Sequence, residues 1–275
     1  MTEAPRRRSS GLTLCREHHL SRISQHESGE VDAYHAVSER PAWEMIRRLD
    51  GIHERFAEGM MRDACGLPAC PRTPVLVDWL RDQKVEPVMK RPESDDEITV
   101  LDLSVSSPEL SGRDTDDTEA FSRRVFRRME DDGAKLGIGR YLEPRAFYLT
   151  DVFKGRPGDP RERRTIHIGL DLFDVAGAEV SAPLAGRVLS VRDNGAGLDY
   201  GPTIILEHDA PSGPFWTLYG HLERASVASL EEGAEVEAGQ TIARIGPFPE
   251  NGDWPPHLHF QILTDLLDHE GEFPG

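Results

Sequence analysis

From Leu136 onward the apolar residues come in runs of four to six, among them Gly186 to Val191, Thr203 to Leu206, Trp216 to Tyr219 and Thr241 to Ile245. Turns rich in Gly, Pro, Asn and Asp separate them. Runs this short suit strands rather than packed helices, and close turns between them suit antiparallel pairing, so this part of the chain is expected to be an all-β antiparallel sandwich or barrel-like domain.

Upstream the period changes. From about Pro41 to Leu80 the pattern is helical, with Trp43, Ile46 and Leu49 recurring at i, i+3 and i+6 and Pro41 suited to a first turn. A second helical stretch, Thr73 to Leu80, follows a Cys-Pro turn and is expected to place Val75, Leu76, Trp79 and Leu80 on one side. Ile98 to Val105 reads as a buried strand. Beyond it, the acidic cluster Asp114 to Glu119 is placed to cap a helix carrying Phe121, Val125 and Phe126, with Arg123, Arg124, Arg127 and Arg128 towards solvent. The chain therefore divides into a flexible tail over 1–11, a helical region over 12–92, a charged linker with a strand and a short helix over 93–135, and a β domain over 136–275. The class is α+β overall.

Composition excludes some partners. Of the 275 residues 37% are hydrophobic, enough for a real core, while the formal charge of -17 repels nucleic acid, anionic membranes and an anionic wall polymer. The Arg6-Arg7-Arg8 run has no apolar stretch behind it of the length a secretory signal needs, and no span approaches a membrane helix. Three cysteines, Cys15, Cys65 and Cys70, leave one over and suit a reducing compartment. A cytoplasmic protein is expected.

Chemistry concentrates in three strings: HIGLD with His167 and Asp171, YGHL with His221, and HLHF with His257 and His259. Imidazoles and a carboxylate are what a catalytic zinc requires, with a fourth position left for water. Positions two apart on a strand share a side, roughly 6 to 7 Å apart, so His257 and His259 can face one site. Four residues along a straight strand would hold His167 and Asp171 roughly 13 Å apart, too far to share an ion at a bond length of roughly 2 Å. Either the chain bends between them, with Gly169 at the midpoint, or a helix stacks positions four apart; the bend is favoured because Val180 to Val191 reads as strands and turns.

The same residues carry a family resemblance. His-x-x-x-Asp, the Ser181-Ala182-Pro183 strand leading to Ala185-Gly186-Arg187-Val188, Tyr-Gly-His-Leu, the turn Val236 to Gln240 and the final His-Leu-His-Phe together resemble the lysostaphin-type, LytM-like zinc metalloendopeptidases over about residues 136 to 268. That resemblance implies that His167, Asp171 and His259 hold zinc and that His221 and His257 are the catalytic histidines. It also implies peptide or muropeptide substrates drawn from peptidoglycan. Any one string alone would be weak; together they are specific. The run Glu232 to Ile242 also resembles the turn of lipoyl and biotinyl carrier domains, but no lysine sits at a hairpin tip to carry a cofactor.

A wider stretch, Ala42 to Val105 with the PPHLHFQI end, resembles the middle of multidomain proteins that join a kinase-like domain, a LytM-like domain and a class III aminotransferase. No kinase motif and no pyridoxal-phosphate lysine context accompanies it, so neither activity is carried over. Two functions follow as expectations. The first is zinc-dependent peptide hydrolysis without an HExxH glutamate, in which a histidine takes the base role. The second is a non-enzymatic interaction or scaffolding module of a cytoplasmic multidomain protein.

Overall fold

This computed structural model describes residues 66–108, 116–146, 164–195 and 197–267, together with Gly59, Arg62, Leu110, Tyr148 and Phe153. The chain forms two compact units, Met1–Asp82 and Gln83–Gly275. Nearly all of the helical pattern read between Pro41 and Thr73, and both Cys15 and Cys65, lie outside the described residues.

In the first unit, helix α1 spans Thr73–Arg81 with a proline in its first turn, where a missing N–H costs nothing. Leu76 is buried, Trp79 and Leu80 are half-buried, and Val75 is exposed. The expected four-residue stripe is therefore corrected to three. Leu76, Trp79 and Leu80 share a face at i, i+3 and i+4, whereas Val75 is turned off it by one residue's rotation.

The second unit is built on an eight-stranded sheet. Its strands are β1 (Ile98–Leu101), β2 (Leu136–Gly139), β5 (Leu170–Phe173), β7 (Gly186–Asn194), β8 (Gly201–His208), β9 (Phe215–Gly220), β10 (Glu235–Val236) and β12 (His257–Leu263). Two short pairs accompany it: β3 (Glu143–Pro144) with β4 (Ile166–His167), and β6 (Glu179–Ser181) with β11 (Thr241–Arg244). The sheet order is β1-β2-β5-β12-β9-β8-β7-β10, antiparallel throughout except where β1 runs parallel to β2. This is the expected architecture, a largely antiparallel β domain preceded by helix.

Period-two alternation assigns the two faces of that sheet. Leu172, Val188, Ile204, Leu206, Tyr219 and Leu258 point to one side, where they form a core with Val180, Ala182, Ile242, Ala243 and Ile245 from around the β6–β11 pair. Their neighbours along the same strands point the other way. Ile205, Leu218 and Leu263 pack together there, and beside them Asp171, Gly220, His257 and His259 occupy the alternating positions of the three central strands.

The second face is walled at one end by helix α2 (Thr118–Asp131). The Asp117 side chain accepts the Ala120 N–H at 2.8 Å and caps it. Phe121, Val125 and Met129, four apart, form one buried stripe against Leu101, Leu103, Phe173 and Trp254. Phe121 is 1% exposed, and burying a ring of that size contributes roughly 2–3 kcal/mol. All four arginines of this helix face solvent as expected, whereas Phe126 is only half-buried and Met129 takes the place on the stripe. The segment 98–105 departs from its expectation. It ends as a strand at Leu101 and lies at the sheet edge, so Val100 and Val105 are both 59% exposed. It belongs to the same sheet as the site rather than standing apart from it. Among the described residues no helix is long and apolar enough to cross a membrane.

Candidate metal centre

Register places the key residues. Asp171 on β5 lies directly opposite His259 on β12, which lies opposite Gly220 at the end of β9. His257 is two residues before His259 and so shares its face. His167 arrives from β4 after a bend at Gly169 separates that strand from β5. The bend brings His167 Nε2 to 3.1 Å from Asp171 Oδ1. Glycine is required here for a second reason. A Cβ at position 169 would lie 2.4 Å from both Cε1 and Nε2 of His259, so the imidazole occupies the space a side chain would need.

Three atoms converge: His167 Nε2 and His259 Nδ1 are 3.0 Å apart, and Asp171 Oδ1 lies 3.1 Å from the first and 3.2 Å from the second. Their protonation follows from their other partners. His167 Nδ1 lies 2.8 Å from the Arg140 carbonyl, which can only accept, so that nitrogen carries the proton and Nε2 presents a lone pair. His259 Nε2 donates to Gln261 Oε1 at 3.2 Å, which leaves Nδ1 as its lone pair. In these neutral tautomers two nitrogen lone pairs and a carboxylate oxygen face one another. A triangle of this kind needs a cation. Ligands at roughly 2.0–2.1 Å from a tetrahedral zinc are about 3.3 Å apart, close to the observed edges. The donor set therefore fits zinc, and all three residues are at most 4% exposed.

His221 and His257 stand beside this triangle with ring centroids 4.3 Å apart. His221 Nδ1 donates to the Asn251 carbonyl at 2.8 Å, and His257 Nδ1 donates to the Pro255 carbonyl at 2.6 Å. Each therefore has an unprotonated Nε2, and that of His257 is 3.6 Å from Asp171 Oδ1. His221 also has φ 65, a left-handed conformation that costs a residue with a Cβ roughly 1 kcal/mol or more. Two hydrogen bonds hold it: its N–H to the Tyr200 carbonyl at 2.7 Å, and its carbonyl from the Gly246 N–H at 2.9 Å.

Electrostatics follow from burial. Burial pushes His221 well below the ordinary histidine range, helped by the neighbouring His257 and His259, and it lowers His257 to about 4 against the pull of Asp171. His259 is lowered for the same reason. For Asp171 burial works upward, but His167, Arg145 and His257 outweigh it and hold the carboxyl well below its usual range. Burial thus favours the neutral form of His221, His257 and His259 beside the Asp171 carboxylate.

All five residues singled out from the three strings are brought into this one site. Arg145, Glu143 and Gln261 were not anticipated. Gln261 was legible, since 257, 259 and 261 alternate onto one face of β12; nothing in the string EPRAF distinguishes Arg145. Leu198, Tyr200, Trp254, Tyr148 and Phe153 wall the cleft in front of His221 and His257. Trp254 also packs edge-on against Phe121 and Tyr148.

Comparison with known proteins adds the following. No curated protein matches the chain. Among solved structures, a zinc-containing peptidase from Vibrio cholerae is 25% identical over 45% of this chain and 36% of its own, with a TM-score of 0.29. LytU is 25% identical over 46% of this chain and 76% of its own, with a TM-score of 0.30. The catalytic domain of the antimicrobial peptidase lysostaphin from Staphylococcus simulans is 25% identical over 44% of this chain and 77% of its own, with a TM-score of 0.28. The chain spans about a third of the length of the Vibrio cholerae peptidase. The segment that carries His167, Asp171, His221, His257 and His259, residues 165–269, matches the model of peptidase family M23.

Proposed function

We propose that the β domain is a zinc-dependent metalloendopeptidase acting on small peptides, including fragments derived from the bacterial wall. The observation that carries this reading is the buried triangle of His167 Nε2, His259 Nδ1 and Asp171 Oδ1, with edges of 3.0–3.2 Å. Bound there, zinc supplies Lewis acidity and lowers the pKa of its water towards about 7. His221 and His257 do the proton work. Each commits Nδ1–H to a backbone carbonyl and offers Nε2 to the cleft. Burial keeps both neutral at pH 7, so either can accept a proton from the attacking water. Once charged, the same histidine donates that proton to the departing amine. The acidic balance of the chain supports small soluble substrates over an intact anionic polymer.

The test is incubation of the zinc-loaded protein with pentaglycine, soluble muropeptides and intact sacculi, with products read by mass spectrometry. New amine termini in the soluble substrates are expected, in amounts that exceed release from sacculi. A chain that holds one zinc yet cleaves none of them overturns the peptidase reading in favour of an interaction module.

A further inference from the structure

Asp171 has two oxygens, and the structure treats them differently. Oδ1 faces His167, His259 and His257. Oδ2 lies 2.7 Å from Nη2 of Arg145, a guanidinium only 4% exposed. Arg145 is itself fixed on two other sides, by Nε to Glu143 Oε2 at 3.1 Å and by Nη1 donating to the Tyr148 hydroxyl at 2.8 Å. Glu143 is buried, balances the charge of Arg145, and pairs backbone-to-backbone with His167 across β3 and β4. One more residue makes the arrangement possible. Gly139 pairs with Asp171 in β2–β5, and a Cβ there would lie 3.0 Å from Arg145 Nη2 and 3.1 Å from Asp171 Oδ2. The missing side chain is the space in which the two charges meet.

Resting on the zinc reading above, we propose that Arg145 is a positioning residue that occupies Asp171 Oδ2, confines this carboxylate to one-oxygen coordination and so keeps a coordination position open for water. The chemistry is direct. A carboxylate with both oxygens free can bind a metal through either or both, and two-oxygen binding fills the position that a reacting water needs. A guanidinium on Oδ2 removes that choice, and its planar fork is itself locked by Glu143 and Tyr148. Gly139, Glu143, Arg145 and Tyr148 all precede residue 165, where the family match begins, so residues outside the matched segment set the coordination within it.

The experiment uses the full chain with cobalt in place of zinc, because visible absorption reports coordination number without reference to catalysis. Wild type is expected to show the intense bands of four-coordinate cobalt. Arg145→Met is expected to show the weaker bands of a five-coordinate ion, and to lose roughly 10- to 100-fold in zinc affinity by chelator competition, the usual scale for an outer partner of a ligand. Arg145→Lys, which restores one donor and the charge, should recover part of both. If Arg145→Met fails to fold, Glu143→Gln/Arg145→Met, which removes both members of the buried Arg145–Glu143 pair, is read in the same way. A folded variant whose cobalt spectrum and zinc affinity both match wild type overturns the role given to Arg145 while leaving the metal centre standing. A wild-type chain that takes up neither metal overturns the metal centre itself.

Discussion

Gly169→Ala is a small change with a large expected consequence for metal binding. Position 169 has no left-handed backbone requirement, so alanine introduces no conformational strain of its own. The added Cβ would lie 2.4 Å from His259 Cε1 and Nε2 and 3.0 Å from the Phe260 carbonyl oxygen. Ordinary contact begins near 3.4 Å, so the imidazole must move by about 1 Å. It cannot retreat with its strand, because β12 is hydrogen-bonded to β5 on one side and β9 on the other. Metal–ligand distances tolerate about 0.2 Å, so a 1 Å displacement takes Nδ1 out of the coordination shell. Zinc affinity should fall at least about 100-fold, or about 2.7 kcal/mol, while overpacking costs the fold roughly 1–3 kcal/mol. Gly195→Ala is the control, since its nearest atom would be Asp193 Oδ1 at 3.6 Å. Chelator competition for zinc, with circular dichroism to confirm folding, reads both variants. A folded Gly169→Ala protein with wild-type zinc affinity would refute the packing argument.

His221→Ala and His257→Ala should each keep zinc and lose hydrolysis by roughly 10² or more, as measured by elemental analysis beside a peptide assay; loss of zinc in either would reverse the assignment of roles. Metal-free protein should lose stability as pH falls from about 6.5 to about 4. His257 is lowered to about 4 by burial, so over that window the unfolded chain binds a proton that the folded chain refuses, a loss of about 3 kcal/mol, with His221 and His259 acting in the same direction. Asp171, held low, withdraws its own contribution only below its ordinary carboxylate range. Urea midpoints measured in chelator at pH 7 and pH 4.5 check the sign, and equal midpoints would contradict it.

Much of this centre was legible because its residues obey short-range rules. HLHF places two histidines on one face by strand period alone, and the bend favoured between His167 and Asp171 falls at Gly169, where the structure puts it. What the strings could not reveal was why that glycine is irreplaceable, since its Cβ would strike a residue ninety positions away. Arg145 was hidden for the same reason. Its partner is fixed by a pairing of β2 with β5 that brings Gly139 beside Asp171, and no local pattern announces that register. The edge strand shows the opposite error: Ile98 to Val105 has the composition of a buried strand, but burial is set by how many neighbours a sheet position has, and β1 has one.

The most direct test of the account is the zinc content of the protein purified without added metal, determined beside His259→Ala and Asp171→Ala. The convergence of three buried ligand atoms predicts about one tightly held zinc per chain in the wild type and loss of that ion in both variants. Wild-type protein without metal, or zinc retained at full occupancy in either variant, would contradict it.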